Sequence, residues 1–205
     1  MTSLIVIAKA PVAGRVKTRL TPPFTPEQAA GLAAAALVDT LAAGTRAWRA
    51  ERRVLVLDGE PGAWVPDGFE VLPQRGDGLA ERLAAAFDDV GGPAFLVGMD
   101  TPQVTPALLD AGLAALDRAD AVFGAALDGG YWSIGLGRPD PEVFRGVPMS
   151  ESDTGARQRV RLAELGLRTE VLPPLCDVDT VADARVVAAA APRSRFAAAL
   201  EAVAA

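Results

Sequence analysis

Short apolar runs and longer amphipathic stretches take turns along the whole chain. Leu4–Ala8, Val54–Asp58, Phe95–Gly98, Ala121–Ala126 and Trp132–Leu136 read as strands, and Glu70–Leu72 and Arg168–Leu172 as further extended pieces. Between them the spacing predicts helices starting near Thr25 and covering Asp77 to Asp89, Thr105 to Leu116, Asp153 to Leu165, Thr180 to Ala191 and Ser194 to Ala204. Thr25, Pro26 and Gln28 spell a capping box with proline at the first helical position. The strands are too apolar to face water on either side, so the alternation predicts a mostly parallel α/β sheet covered by helices on both faces. The Pro/Gly-rich stretch from Gly59 to Gly68 is a loop inside the domain, and 1–205 is expected to be one domain. The segment after Pro192 reads as a packing helix.

Composition narrows the chemistry. The chain has 205 residues, enough for a substantial core, and half of them are apolar. A formal charge of -6 argues against nucleic acid as a partner. With no histidine, imidazole catalysis, His-based triads and the usual zinc sites are excluded. The single cysteine, Cys176, rules out an internal disulfide and fits a reducing compartment. The N-terminus enters strand-like sequence at once, unlike a signal peptide, and the longest apolar stretches fall short of the ~20 residues a membrane span needs. A cytoplasmic protein without membrane contact is therefore expected. Oligomeric state is not legible here.

Charge becomes locally concentrated right after the first strand. Lys9, Arg15, Lys17 and Arg19, with Gly14 between them, make a cationic loop in an acidic chain. Such a loop calls for an anion, and a phosphate-rich ligand is the simplest. Gln74-Arg75-Gly76-Asp77-Gly78 precedes a helix; Gln74 suits a base edge and Gly78 a close backbone approach, although a turn with Asp77 as helix cap accounts for the same residues. Gly98-Met99-Asp100-Thr101-Pro102 ends a buried strand with a lone carboxylate, a position suited to magnesium shared with phosphate oxygens, or to a turn cap. Asp128-Gly129-Gly130-Tyr131 is either a hairpin turn or a backbone floor for an acceptor, with Asp128 bonding it and Tyr131 packing on it. Asp177-Val178-Asp179-Thr180, with Asp183 one turn on, offers more carboxylates than a helix cap requires.

In this order the clusters resemble the GT-A-like nucleotidyltransferase and glycosyltransferase superfamily. The resemblance is closest to the small transferases described as radical-SAM/selenodomain-associated, which are similar in turn to 2-phospholactate guanylyltransferases. Their KxPxxGxxKTRL, GxDxP, DGGYxxIGL and DxDTxxD patterns look like Lys9–Leu20, Gly98–Pro102, Asp128–Leu136 and Asp177–Asp183. The resemblance implies a three-layer α/β/α sandwich with nucleotide at the first loop. It also implies Mg2+ or Mn2+ on Asp100 with help from Asp177 or Asp179. The first loop lacks the LxGGxGxRM form of sugar nucleotidyltransferases, and a single Asp stands where many glycosyltransferases carry DxD.

The leading expectation is metal-dependent transfer of a nucleotidyl group from a nucleoside triphosphate to a phosphorylated small acceptor, with Lys17, Asp100 and Asp128 catalytic. An ionised phosphate nucleophile needs no strong base, in keeping with the missing histidine. Glycosyl transfer from a nucleotide-sugar, with Asp128 as base, ranks second, and a non-catalytic nucleotide-binding module third.

Overall fold

The computed structural model of the chain describes residues 1–204. Strand β1 (Ser3–Lys9) shows how the layers arise: Leu4, Val6 and Ala8 enter a core on one face, while Ile5 enters another on the opposite face. A strand walled on both sides has no polar positions to alternate with, hence its unbroken apolar run. With β2 (Arg52–Asp58), β3 (Glu70–Pro73), β4 (Ala94–Gly98), β5 (Ala121–Ala126), β6 (Tyr131–Leu136) and β7 (Thr169–Leu175) it forms one seven-stranded sheet. The order is β3-β2-β1-β4-β6-β5-β7. All neighbours are parallel except β6, which runs against β4 and β5.

Helix α1 (Pro26–Arg46) opens on the expected box, in which Thr25 accepts from Gln28 N–H and the Gln28 side chain accepts from Thr25 N–H. Together with α3 (Pro106–Ala115) it covers one face of the sheet through Ala33, Leu37, Leu109 and Leu113. Helices α2 (Leu79–Val90) and α4 (Thr154–Glu164) cover the other through Leu83, Phe87 and Leu162. Helix α1 is apolar on a second side as well. There Leu32 and Ala36 pack with α5 (Val181–Ala190) and α6 (Arg195–Ala204). The carboxylate of Asp39 reaches from α1 to accept from the N–H groups of Arg195 (3.2 Å) and Phe196 (2.9 Å), so α6 is capped by its neighbour. The three-layer sandwich and the C-terminal packing helix match the sequence reading.

Two local expectations change. Asp77 does not cap α2: Gly78 stands at the cap, and Asp77 N–H donates to Glu81 Oε2 at 2.9 Å because the Glu81 side chain folds back over that turn. Strand β7 continues through Pro173 and Pro174 to Leu175, beyond the Leu172 at which the sequence reading stops. It lies at the sheet edge, where a proline's missing N–H costs no ladder bond. Among the described residues no helix is long and apolar enough to cross a membrane.

The α3–β4 contact depends on a missing side chain. A Cβ at Gly112 would lie 2.6 Å from Phe95 Cε1 and 2.7 Å from Cε2. That ring is itself held edge-on by Trp132 at 6.1 Å between centroids and cannot swing clear. Overpacking of this kind costs about 1–3 kcal/mol, whereas alanine returns about 1 kcal/mol of helix propensity. Gly112→Ala is therefore expected to lower the urea midpoint of unfolding; an unchanged or higher midpoint would mean the ring is free to move.

Candidate active site

The carboxyl ends of the parallel strands and the start of antiparallel β6 lie along one rim of the sheet, where they enclose a cavity of about 900 Å3. Ligands in open α/β sheets bind at this rim. Lys17 occupies its middle. The side chain is only 8% exposed, and Nζ lies 2.8 Å from Asp100 Oδ1 and 4.0 Å from Asp179 Oδ1. Nζ also donates to the Val178 carbonyl. The lysine backbone is left-handed (φ 49°), a conformation that a non-glycine residue keeps only when its surroundings fix it. Here the ion pair with Asp100 and the bond to the Val178 carbonyl do so. Arg19 binds Asp179 as well.

The three loops are sewn to one another. Val178 N–H donates to the Asp100 carbonyl at 3.0 Å, and the Gln103 side chain donates to the Cys176 carbonyl. The loop after β4 thereby carries the loop after β7, and Lys17 from the β1 loop bridges both. Asp100 Oδ1 is buried and receives no hydrogen bond of good geometry; its compensation is the charge of Lys17.

Most of the residues singled out in the sequence meet here. Lys9, Arg15, Lys17, Arg19 and Gln74 line the cavity, as do Asp100, Asp128, Gly130, Tyr131, Asp177 and Asp179. Three glycines do not. Gly14 serves its own turn at φ +75°, and Gly78 serves as the N-cap of α2. Gly129 packs on the Ser152 carbonyl, which leaves no room for a Cβ, so that its smallness serves loop packing and not an acceptor floor. Gln74 borders the cavity, but its amide donates to the carbonyls of Ala8 (2.7 Å) and Val56 (3.3 Å), and its oxygen accepts from Arg82 at 3.3 Å. A base edge would have to compete with all three. Asp183 is spent on capping, since it accepts from Thr180 N–H and Oγ1 at 2.7 Å each.

Several lining residues carry no role in the sequence reading. Arg82, which closes the cluster that begins at Gln74 and stands on the first turn of α2, pairs with Asp58 Oδ2 at 3.0 Å. Leu79, from the same cluster, offers an exposed apolar surface. On the far side Met149, Ser150, Glu151 and Ser152 close the wall. Their loop is pinned by Thr154, whose hydroxyl accepts from Glu151 N–H at 3.0 Å and donates to the Pro148 carbonyl at 2.9 Å. The polar run Ser150–Thr154 before α4 was the available signal.

Charge crowding marks the β5–β7 side. Burial first, and then the nearby carboxylates of Asp128 and Asp179, push Asp177 up from 3.8 to about 6, with Lys17 only partly offsetting this. Burial likewise raises Tyr131, whose ring tilts on Phe123 at 5.5 Å. Among the described residues no three side chains of the His, Cys, Asp or Glu kind gather into a ready-made metal site. Magnesium seldom uses such a cage; it takes one or two carboxylates together with substrate phosphates. A buried Asp100 oxygen without a hydrogen bond, beside an under-compensated Asp177, fits that habit.

A family profile described as "Uncharacterized protein conserved in bacteria (DUF2064)" matches residues 29–151. Curated proteins yield no sequence match. Among solved structures, a protein of Desulfovibrio desulfuricans described as a candidate nucleotide-diphospho-sugar transferase superposes with a TM-score of 0.87 at 29% identity, over 98% of this chain and 94% of that one. The 2-C-methyl-D-erythritol 4-phosphate cytidylyltransferase of Thermus thermophilus gives 0.56 at 16% identity, over 100% of both chains. Rv0371c of Mycobacterium tuberculosis, in complex with manganese, gives 0.51 at 23% identity, over 91% of this chain and 97% of that one. The fold is thus that of nucleotide-diphospho-sugar transferases.

The raised Asp177 sets the sign of a pH effect. Between about pH 4 and pH 6 the native form holds a proton that the unfolded chain has released, so stability falls as pH rises through that window. Asp177→Asn is expected to raise the melting temperature near pH 8, in the absence of divalent ions, and to change it little near pH 4. Equal shifts at both pH values would mean that the carboxylate ionises without cost.

Proposed function

The chain belongs to the DUF2064 family of bacterial proteins, and from that premise we propose that it is a metal-assisted nucleotidyltransferase acting on a nucleoside triphosphate and a small-molecule acceptor. One observation carries the reading: Lys17 and Asp100, 2.8 Å apart, share a cavity with the rest of the cationic β1 loop.

Lys9 and Arg15 enter no ion pair among the described residues, so both are available to a polyphosphate. Lys17, fixed by its backbone and its carboxylates, supplies a preorganised positive charge at the point where the leaving pyrophosphate gains negative charge. Leu79, at the mouth, offers an apolar surface for a base. A divalent ion would be held by Asp100 with Asp177 or Asp179, and when bound it supplies charge neutralisation and alignment of the phosphates. The acceptor enters from the side of Gly130 and Tyr131. Its nucleophile bonds to the α-phosphorus, the bond from that phosphorus to the bridging oxygen breaks, and pyrophosphate leaves. The protein's part is positioning plus electrostatics. The cytidylyltransferase fold and the manganese of Rv0371c support this reading.

Glycosyl transfer from a nucleotide-sugar is the second reading, favoured by the description of the Desulfovibrio relative. The leaving group separates the two: pyrophosphate for the first, a nucleoside diphosphate for the second.

Asp100→Asn is expected to lower turnover roughly 100- to 1,000-fold while the unfolding transition stays cooperative. Normal turnover with magnesium would remove Asp100 from the metal. Lys17→Ala is expected to weaken triphosphate binding by about tenfold or more and to leave nucleoside binding unchanged, as read by calorimetry. Equal losses for both ligands would indicate mere destabilisation.

A further inference from the structure

The cavity is electrostatically lopsided. The sheet order puts β3, β2 and β1 on one side of β4, and β6, β5 and β7 on the other. Lys9, Arg15 and Arg82 all line the first side. On the second side stand Asp128, after β5, and Asp177, after β7, with Glu151 from the loop before α4. That loop is fastened to the β5–β6 turn, for Gly155 N–H donates to the Gly129 carbonyl at 2.8 Å and Ser152 packs on Gly129. Asp128 and Glu151 therefore face the same end of the cavity.

Two cations reach across β4, and each is already held by a carboxylate: Lys17 by Asp100 and Arg19 by Asp179. Arg157, four residues into the next helix, is tied to Asp153 at 2.7 Å and does not line the cavity. The phosphorylated acceptor expected from the sequence would thus bring a dianion to a wall bearing Asp128 and Glu151 with no unpaired cation among the described residues. Like charges brought together in an interface oppose binding. The same wall suits hydroxyl groups. Asp128 and Glu151 accept from them, Ser150 and Ser152 can donate or accept, and the Tyr131 ring supplies a flat apolar surface.

We propose that the acceptor is a polyhydroxylated small molecule without phosphate, uncharged or amine-bearing, and that one of its hydroxyls is the nucleophile. This rests on reading the cavity as a transferase site. The hydroxyl oxygen bonds to the α-phosphorus, the bond to the bridging oxygen breaks, and pyrophosphate departs with the electron pair. The hydroxyl proton passes to the Asp128 carboxylate, which Gly130 N–H orients through Oδ1 at 2.8 Å.

The test uses matched probes: glycerol against glycerol 3-phosphate, and glucose and glucosamine against glucose 6-phosphate. Each is given to the full chain with magnesium and a panel of nucleoside triphosphates, and products are weighed by mass spectrometry. In parallel, saturation-transfer NMR reads binding of the same probes without any donor. The phosphate-free compounds are expected to exceed their phosphate esters by about tenfold or more in both readouts. Glu151→Lys is expected to narrow or reverse that order in the binding readout taken without any donor. If no triphosphate is consumed but the binding order and its response to Glu151→Lys persist, the transfer reading falls and the acceptor class stands. Preference for the phosphate esters, an order that Glu151→Lys does not move, or no binding by any probe overturns the proposal.

Discussion

The contact between Lys17 and Asp100 holds the functional rim together. The ammonium is buried while the carboxylate buries one oxygen and keeps the rest of its side chain partly exposed, so the lysine bears most of the desolvation cost. Lys17 offsets it with a hydrogen bond to the Val178 carbonyl, and Val178 N–H in turn binds the Asp100 carbonyl; the left-handed lysine backbone adds to the cost. Loops that follow β1, β4 and β7 are thereby fixed relative to one another, although they are far apart in sequence. Without the pair, the Arg19–Asp179 contact alone would tie the β1 loop to the carboxylates.

The same arrangement eases the mutual repulsion of the carboxylates in the pocket. Lys17 lies 2.8 Å from Asp100 and 4.0 Å from Asp179, and so partly neutralises both. Asp177 gets less of that benefit and remains hard to ionise. The three carboxylates thus differ in their surroundings: Asp100 and Asp179 each have a cation beside them, and Asp177 is the least satisfied.

Much of the fold was legible because its strands are buried on both faces and its helices carry sequence-local caps such as Thr25 with Gln28. Expectation failed where a residue's partner comes from a distant loop. Gly129 looked like an acceptor floor but is small because Ser152 lies against it, and Asp77 lost its capping role to Glu81 folding back. Gln74 lines the cavity as expected, yet its amide is committed to β1 and β2. Arg82 closes the cluster that begins at Gln74 but carries no role there, and the Met149–Ser152 wall lies outside every cluster, since what brings them to the cavity is the sheet order. Lys17, Asp100, Asp128, Asp177 and Asp179 were found because charged residues straight after apolar strands point to the rim. The sequence reading predicts a phosphorylated acceptor; a phosphate-free one is proposed from strand order, which decides which half of the cavity each group faces.

Reversed β6 has an architectural outcome. Since it runs against its neighbours, the β5–β6 hairpin delivers its tip to the same edge as the ends of the parallel strands, so a single tight turn lines the recognition wall. Lys9, Arg15 and Arg82, the cations proposed to meet the phosphates, are anchored across β4 from it. Substrate choice can therefore drift through this hairpin and the segment resting on it while the phosphate grip is inherited intact, a division of labour that makes the scaffold well suited to diversification by exchange of one short module.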